Sequence, residues 1–277
     1  MSSQRRLMAV LAHPDDESLG FGGTLAKYAA EGVDVHVVTA TRGEAGRFGG
    51  HPRGDERHPG ALALGRIRET ELRAAAAVLG VHGVSLLGYP DQEVDRADPR
   101  QAIARIVTEV RRLRPDVVVT FGPDGAYGHP DHIAVSQFAT AAVVAAADAG
   151  FVVDDGRAEA GPHAVSKLYY LAWSESTWAA YQAAVRTLSA TVDGVERRAT
   201  PWTDWSITTV IDTSTVWPTV WRAVACHESQ VAAYERFRDL PPEQHRMLWG
   251  TQSFYRAFSA VNGGRDRETD LFAGVGR

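Results

Sequence analysis

The sequence has little of several features that mark particular classes of protein. Its 277 residues include one cysteine, Cys226, so no disulfide can form within the chain and a disulfide-rich scaffold is excluded. Basic side chains number 29 against 34 acidic ones, and the net charge of −5 leaves no positive excess for broad binding to nucleic acid. No apolar run approaches the length that crosses a bilayer. The 44% hydrophobic content, by contrast, is that of an ordinary globular protein.

The segment near the N-terminus resembles a secretion signal only superficially. Arg5 and Arg6 precede an apolar stretch at residues 7–12, but that stretch is shorter than a typical signal-peptide core and runs directly into His13. We therefore predict a first β-strand at this position. The sequence as a whole predicts a cytoplasmic protein that neither inserts into a membrane nor binds nucleic acid.

The first 150 residues alternate strand-like and helix-like segments. Short apolar runs predict strands at residues 7–12, 33–40, 84–87, 117–121 and 167–173. Segments with helical spacing predict helices at residues 19–31, 66–79, 101–113 and 133–149. Such alternation is typical of an α/β fold, here a Rossmann-like, mostly parallel sheet with helices on both faces.

The pattern after residue 173 is less regular, with a predicted strand at residues 205–211 and a predicted helix at residues 216–237. No clear linker divides the sequence, so we predict a single domain over residues 1–277. In it, residues 1–150 form the α/β catalytic core, and a C-terminal portion at 151–277 completes the substrate pocket. The polar, glycine-rich insertion at residues 42–64 is either a lid over a site or a disordered surface loop.

Two groups of polar residues directly follow predicted strands. The first is His13-Pro14-Asp15-Asp16-Glu17, and the second lies within residues 122–132, which end in Gly128-His129-Pro130-Asp131-His132. Ligands of parallel sheets bind beyond the carboxyl ends of the strands, so we expect the two groups to meet at one edge of the sheet.

The residue types in these two groups indicate a metal site. Neighbouring carboxylates such as Asp15 and Asp16 raise one another's pKa, and a divalent cation relieves that conflict. Two histidines and a carboxylate, with one position left for water, form a catalytic zinc site, and the lack of thiolate ligands argues against a structural zinc. The same donors form the triad of non-haem Fe(II) oxygenases, so Fe²⁺ is an alternative to Zn²⁺.

The sequence resembles a known family at several motifs. They are Ala12-His13-Pro14-Asp15-Asp16-Glu17, Thr41-Arg42-Gly43-Glu44, Arg68-Glu69-Thr70-Glu71-Leu72 and Gly128-His129-Pro130-Asp131-His132, with a weaker echo at His227-Glu228-Ser229-Gln230. In these motifs the chain resembles the PIG-L or LmbE-like zinc-dependent N-deacetylases, which include the mycothiol-pathway deacetylase and the mycothiol conjugate amidase. The resemblance covers roughly residues 7–150. It implies the removal of an acetyl group from a small molecule that contains N-acetylglucosamine.

The resemblance also implies roles for individual residues. The implied metal ligands are His13, Asp16 and His132. Asp15 is then the general base that takes a proton from water, and His129, with Tyr127, acts as an acid or stabilises the oxyanion. Amide hydrolysis needs both parts, a base beside an activated water and a donor for the developing oxyanion.

Three further residues are candidates around this centre. Asp131 is adjacent to a ligand in the sequence and is expected to orient a histidine. Asp91, which follows a predicted strand, and Arg68 are candidates for binding sugar hydroxyls or an attached group. After Asp91 the chain has Gln92-Glu93 where family members often have a serine-glycine-like turn, so the identity of the substrate stays open.

Other polar residues have simpler interpretations. His227 falls on the predicted helix at 216–237, with Trp217 and Trp221 at near-helical spacing, and this pattern indicates core packing. Cys226 is interpreted as a small buried hydrophobic residue rather than a nucleophile.

The sequence therefore predicts a zinc-dependent N-deacetylase or amidase that hydrolyses a linear amide bond of an amino-sugar small molecule. Two alternatives stay open: an amidase of a larger sugar–thiol conjugate, and a non-haem Fe(II) oxygenase. Asp15 separates the hydrolases from the oxygenase, because oxygen activation does not require a base beside the metal. The sequence leaves open the amino sugar, the length of the acyl chain and the oligomeric state.

Overall fold

The computed structural model describes residues 4–153, 160–185, 189–192, 194–264 and 266–276. Within these residues a seven-stranded sheet and a two-stranded hairpin are formed. The strands are Arg6–Leu11 (β1), Asp34–Thr39 (β2), Gly83–Leu86 (β3), Val117–Phe121 (β4), Lys167–Leu171 (β5), Ser189–Val192 (β6), Val195–Arg198 (β7), Thr209–Asp212 (β8) and Thr251–Ser259 (β9).

Helices connect most of these strands. They are Asp16–Leu19 (α1), Gly22–Ala30 (α2), Ala61–Leu79 (α3), Pro99–Leu113 (α4), Gly125–Gly128 (α5), Pro130–Ala146 (α6), Glu175–Val185 (α7), Trp217–Val224 (α8), Val231–Arg238 (α9) and Pro242–Trp249 (α10). Short 3₁₀ turns occupy Val94–Arg96, Asp204–Ser206 and Glu228–Gln230.

The large sheet has the strand order β3-β2-β1-β4-β5-β9-β8. Strands β1 to β5 are parallel, whereas β9 runs antiparallel to both β5 and β8. This arrangement confirms the predicted α/β class with a mostly parallel sheet. The strand order reverses between β1 and β4, which pair directly, and such a switch point leaves a crevice beyond the carboxyl ends of the two strands.

The strands on either side of the switch point are buried because helices cover both faces of the sheet. All residues of β4, and all but the first of β1, are buried, so both strands have continuous apolar sequences rather than alternating ones. Helices α2 and α3 pack together on one face, and α4 and α6 pack together on the other, as right-handed crossovers require.

Local sequence sets the ends of the longer helices. Helix α4 begins at Pro99, where the Asp98 side chain accepts a hydrogen bond from the Gln101 N–H at 2.9 Å. Helix α3 ends at Gly80, whose φ of 77° suits glycine because it lies in the left-handed region.

Two predicted helices are wrong in extent. The helix predicted at 19–31 begins earlier and consists of α1 and α2, which are separated at Gly20 and Phe21. The helix predicted at 216–237 consists of α8 and α9, with a turn at residues 225–230 between them. In that turn the Ser229 N–H donates to Glu71 at 2.6 Å instead of continuing the helical hydrogen bonds.

The C-terminal portion extends the sheet beyond β5. The strand predicted at 205–211 is a 3₁₀ turn followed by β8, and β9, the longest strand described, was not predicted. The side chain of Glu268, mostly buried, accepts hydrogen bonds from Lys167 at 2.6 Å and from Tyr169 at 2.7 Å, so the end of the chain is held against β5. In the part of the chain that is described, no helix is both long and apolar enough to span a membrane.

The insertion predicted at 42–64 is shorter than expected because α3 already begins at Ala61. The loop before it is anchored at both sides. The Gly49 N–H donates to the Ser229 carbonyl at 2.7 Å, and Arg42 pairs with Glu69 at 2.8 Å. These contacts favour an ordered loop over a disordered insertion.

Candidate metal centre and active site

The two predicted polar groups meet at the switch point. His13 follows β1, and His132 lies in the first turn of α6, which follows β4. Because β1 and β4 are neighbours, the His13 Nδ1 and His132 Nε2 atoms come within 3.2 Å of each other although 119 residues separate them. Both histidines are buried.

The turn after β1 places the carboxylates around His13. Asp16 begins α1, and its Oδ2 accepts a hydrogen bond from the His13 N–H at 2.7 Å. Asp15 has φ 110°, a left-handed conformation that costs a residue with a side chain about 1–3 kcal/mol. Strain of this kind persists only where surrounding contacts hold it, and it is concentrated at functional sites.

His13, Asp16 and His132 bring nitrogen and oxygen donors close together. His13 Nδ1 lies 3.2 Å from His132 Nε2 and 3.7 Å from Asp16 Oδ2, and His132 Nε2 lies 3.4 Å from the other carboxylate oxygen, Asp16 Oδ1. Ligands about 2.0–2.2 Å from a tetrahedral zinc ion are separated by about 3.4 Å. The donors present therefore suit a divalent cation in both chemistry and spacing.

The opposite side of the His13 ring faces two other carboxylates. His13 Nε2 lies 3.1 Å from Asp91 and 3.2 Å from Asp131. Asp131 is fully buried and also accepts hydrogen bonds from the N–H groups of Gln92 at 2.8 Å and Val94 at 3.1 Å. A proton on Nε2 satisfies these carboxylates and leaves the Nδ1 lone pair of His13 directed at Asp16 and His132.

Among the described residues, two further sets of donors, neither of which includes Asp16, are close enough to hold a metal, and both contain His13. One is His13, His129 and His132, and the other is His13, Asp91 and Asp131, each with its ligand atoms within 4.8 Å of one another. In the second set the carboxylates are already engaged, since Asp91 accepts from the Ala45 N–H at 3.0 Å and Asp131 from Gln92. We therefore interpret that set as the hydrogen-bonding support of His13.

The electrostatics of the centre favour a cation. Burial and the charge of Asp15 together raise the pKa of Asp16 to about 7, although His13 opposes the change. Burial alone would also raise the pKa of Asp91, but His13 and Arg68 lower it to about 2. Asp16 and Asp91 thus both depend on the charge of His13 to stay ionised. A divalent cation would stabilise the ionised forms of both carboxylates.

Arg68 approaches the same centre from α3. Its guanidinium donates to the Asp15 carboxylate at 3.0 Å, to the Gly43 carbonyl at 2.7 Å and to the Pro14 carbonyl. The Arg68 side chain is buried, and through these three hydrogen bonds it holds the turn that contains Asp15. Its predicted contact with substrate stays a prediction.

His129 and Tyr127 lie on the α5–α6 side of the centre. The His129 ring centroid is 4.7 Å from that of His13, and the Tyr127 ring is 5.2 Å from His132. Burial and the neighbouring His13 lower the pKa of His129 to about 4, whereas burial raises the pKa of Tyr127. His129 Nδ1 accepts the Asp131 N–H at 3.2 Å, so a neutral His129 carries its proton on Nε2.

Several nearby residues were missed in the sequence. His227 is buried as predicted, but it lies in the turn between α8 and α9 rather than within a helix, and its Nε2 is 2.8 Å from Glu17 Oε1. The weak motif echo at 227–230 was the available signal. Arg197, on β7, lies against Gly128, and its charge contributes to the lowered pKa of His129. Within the described residues, the buried Arg197 Nε has no hydrogen-bond partner.

Comparison with known proteins places this geometry in a family. Residues 8–143 match the family described as PIG-L, GlcNAc-PI de-N-acetylase. A protein of Rhodococcus jostii (strain RHA1), named 1D-myo-inositol 2-acetamido-2-deoxy-alpha-D-glucopyranoside deacetylase, is 37% identical, with 99% of each chain covered. The chain belongs to the PIG-L family. The predicted resemblance is confirmed.

Solved structures of lower identity share the fold. The N,N'-diacetylchitobiose deacetylase of Pyrococcus horikoshii is 21% identical with a TM-score of 0.66, over 92% of this chain and 84% of that one. The 4-carboxy-2-hydroxymuconate hydratase GalB is 20% identical with a TM-score of 0.62, over 94% of this chain and 99% of that one. Since a hydratase and a deacetylase share this PIG-L fold, function has to be argued from the site.

Proposed function

We propose that this PIG-L protein is a metal-dependent hydrolase that removes the N-acetyl group from a small molecule containing N-acetylglucosamine. The observation that carries the proposal is the convergence of His13, Asp16 and His132 at metal-ligand spacing beside Asp15. The deacetylase name of the relative from Rhodococcus jostii, which aligns over nearly the whole chain, supports it. An inositol-linked 2-acetamido-2-deoxyglucoside is therefore the first substrate to test.

His13, Asp16 and His132 would hold the metal, for which we propose Zn²⁺ because imidazole and carboxylate ligands suit it. Bound there, the cation would polarise the amide carbonyl and lower the pKa of a water ligand. Asp131 and Asp91 fix the His13 ring through Nε2, so that Nδ1 keeps its direction toward the cation.

Asp15 is the proposed general base. Arg68 contacts its carboxylate at 3.0 Å and orients it, while the strained backbone of Asp15 sets the direction of the side chain. From this position the carboxylate takes the proton of the attacking water and can return it to the leaving amine. An Fe(II) oxygenase would have no use for such a base, so the hydrolase is the better account of the site.

His129 and Tyr127 are the proposed donors to the developing oxyanion. Its lowered pKa, about 4, keeps His129 neutral near pH 7, and its Nε2–H can donate a hydrogen bond because Nδ1 accepts the Asp131 N–H. The raised pKa of Tyr127 keeps its hydroxyl protonated, so Tyr127 can donate as well. Neutral donors suit this role because they stabilise the oxyanion without competing for the cation's ligands.

Asp91 and Arg68 are proposed to contact sugar hydroxyls, because both side chains lie beside the centre formed by His13 and Asp15. The C-terminal portion is proposed to complete the pocket, and Arg197 supports this proposal because its side chain lies beside Gly128, next to His129. A guanidinium at that position can donate to oxygen atoms of a group attached to the amino sugar.

A substrate panel tests the proposed function. The purified zinc-loaded protein is incubated with inositol-linked N-acetylglucosamine, free N-acetylglucosamine, diacetylchitobiose and an acylated sugar–thiol conjugate, and loss of the acyl group is followed by mass spectrometry. We expect the fastest loss of acetyl from the inositol-linked compound. Faster cleavage of the thiol conjugate would contradict the proposal and would show that the protein is mainly an amidase of such conjugates.

The metal assignment makes a prediction of its own. His13→Ala removes a ligand and is expected to lower the zinc content well below one equivalent and to abolish deacetylation. His36→Ala is the matched control, because His36 pairs with Asp34 on β2, outside the centre. Zinc is measured by elemental analysis after dialysis. A His13→Ala protein that still retains one tightly bound equivalent would contradict the ligand set.

A further inference from the structure

The turn at residues 227–230 contacts two of the other sequence motifs and the loop after β2. His227 contacts Glu17 of the first motif, and Ser229 donates to Glu71 on α3 through both its N–H and its hydroxyl, at 2.6 and 2.7 Å. Gln230 donates to the Arg47 carbonyl at 2.7 Å. None of these side chains is used in the hydrolysis proposed above, so the buried polar contacts require another explanation.

Glu17 is the centre of this arrangement and is completely buried. Its Oε1 accepts hydrogen bonds from His227 at 2.8 Å and from Ser18 at 2.5 Å. Its Oε2 accepts the backbone N–H of Asp15 at 2.9 Å. Both oxygens of Glu17 are therefore hydrogen-bonded within the protein, and the carboxylate has no surface exposed to a substrate.

The bond to the Asp15 N–H acts on a strained residue. The backbone of Asp15, at φ 110° and ψ −25°, is unfavourable for a residue with a side chain and needs external contacts to persist. Arg68 holds the carboxylate of Asp15, and Glu17 holds its backbone. His227 in turn fixes Glu17, because both side chains are inaccessible to solvent and face each other.

We infer that His227, acting through Glu17, is a positioning residue that keeps Asp15 in the conformation required of the general base. The inference rests on the proposed function, since it assigns the turn at 227–230 a task in that same reaction. His227 does not touch the reacting atoms, and its Nε2 is directed to Glu17 rather than to the metal ligands. The alternative is that the His227–Glu17 pair only stabilises the fold and has no effect on the conformation of Asp15.

Four variants separate these two roles. His227→Leu removes the hydrogen bond, and His227→Gln keeps an N–H donor at a similar distance from the backbone. Glu17→Gln removes the negative charge that faces His227 and leaves a single acceptor oxygen for the Asp15 N–H and His227 together, so it tests the inference even where His227→Leu fails to fold. His245→Leu is the matched control, because His245 is buried and hydrogen-bonds to the Phe237 carbonyl at 2.6 Å, among aromatic side chains of α8 and α10 and away from Glu17.

Turnover is measured together with zinc content and with hydrogen–deuterium exchange of the peptide that contains residues 13–19. We expect His227→Leu and Glu17→Gln to lower kcat about 10–100-fold, because a small misplacement of a catalytic group has effects of this size. KM and zinc content stay at wild-type values, His227→Gln recovers most of kcat, and His245→Leu leaves kcat unchanged. Exchange at residues 13–19 is faster in the two loss variants than in the control.

Three results would overturn the inference: wild-type kcat in His227→Leu or Glu17→Gln, an equal loss of kcat in His245→Leu, or a loss of kcat that follows a loss of zinc. The exchange measurement does not depend on catalysis. If the wild-type protein deacetylates nothing in the panel, the proposed function fails, and unchanged exchange at residues 13–19 in His227→Leu would separately show that His227 does not hold the Asp15 turn.

Discussion

The two nitrogens of His13 divide the chemistry of the centre between them. Nδ1 faces His132 and Asp16, where a cation fits, and Nε2 faces Asp91 and Asp131, where a proton is required. The His13 imidazole thus links the proposed metal position to Asp91 and Asp131, which fix the orientation of the ring. The site tolerates so many buried carboxylates because each has either a backbone N–H or a charged partner.

At the level of the single residue, Asp15 is the position whose replacement separates metal binding from catalysis. Asp15→Asn keeps the size of the side chain and leaves the proposed ligands in place, so zinc content is expected to stay at the wild-type level. The amide cannot accept a proton, and we expect kcat to fall about 10²–10⁴-fold. Steady-state kinetics with parallel elemental analysis check this, and full turnover by the variant would show that another group is the base.

The meeting of the two polar motifs could be predicted from the sequence because both follow strands of one parallel sheet, whereas the ligand set within them was implied by the family resemblance and stays a proposal. His13 and His132 are adjacent to apolar runs, and the polar motif after each run is visible without a structure. His227 could not be placed in the same way. Its partner Glu17 is 210 positions away, and only the fold shows that a turn between two helices, rather than a helix, brings them into contact.

At the scale of elements, the segments after β1 and β4 form the crevice at the switch point, and the loop after β2 lies beside it. The loop after β2 reaches Arg68 through Gly43, whose φ of 66° requires a residue without a side chain. The sequence predicted where this loop begins, since it follows a clear strand. It could not show that the loop is held by the turn at 227–230, because those contacts are long-range.

Gly43→Ala tests the link between this loop and the base. A methyl group at residue 43 would overlap the Arg68 guanidinium, so we expect Arg68 to shift away from Asp15 and kcat to fall. Gly54→Ala is the matched control, because Gly54 lies in the same loop at φ 99° and has no atom near an added methyl group. Both variants carry the backbone cost of about 1 kcal/mol, measured by urea unfolding. Equal kcat values for the two variants would show that the Arg68 contact is dispensable.

At the scale of the whole molecule, the C-terminal portion joins the α/β core through β9 and through Glu268. Burial alone would raise the pKa of Glu268, but hydrogen bonds from Lys167, Asn262 and Tyr169 lower it to about 2. A carboxylate whose pKa falls on folding stabilises the folded state above its ordinary pKa of about 4.5. That contribution disappears as the pH decreases toward 2.

Glu268→Gln is therefore expected to lower the free energy of unfolding near pH 7, by up to about 3 kcal/mol, because it leaves the buried Lys167 without its charged partner. The difference between variant and wild type should shrink between pH 4.5 and pH 2, as Glu268 becomes protonated in the wild type too. Urea unfolding of both proteins at several pH values measures this difference in the free energy of unfolding. A difference independent of pH would show that the charge of Glu268 does not matter.

The whole-molecule architecture was predictable only in its first half. Residues 1–150 show regular alternation, and the sheet formed by β1 to β4 has the predicted class and order of elements. Strand β9 was missed because its partners, β5 and β8, lie far from it in the sequence and the short segments around it lack a clear period. A cytoplasmic location stays a prediction, as does the single domain over residues 1–277.

The most direct test of the account follows the oxygen of the attacking water. The protein is stripped of metal by chelation, reloaded with Zn²⁺, and incubated with inositol-linked N-acetylglucosamine in ¹⁸O-labelled water, and the released acetate is analysed by mass spectrometry. We predict that one ¹⁸O atom enters each acetate, that the metal-free protein releases no acetate, and that zinc restores the release. Acetate release at an undiminished rate without metal, or no release from the zinc-loaded protein, would contradict the assignment of a metal-dependent deacetylase.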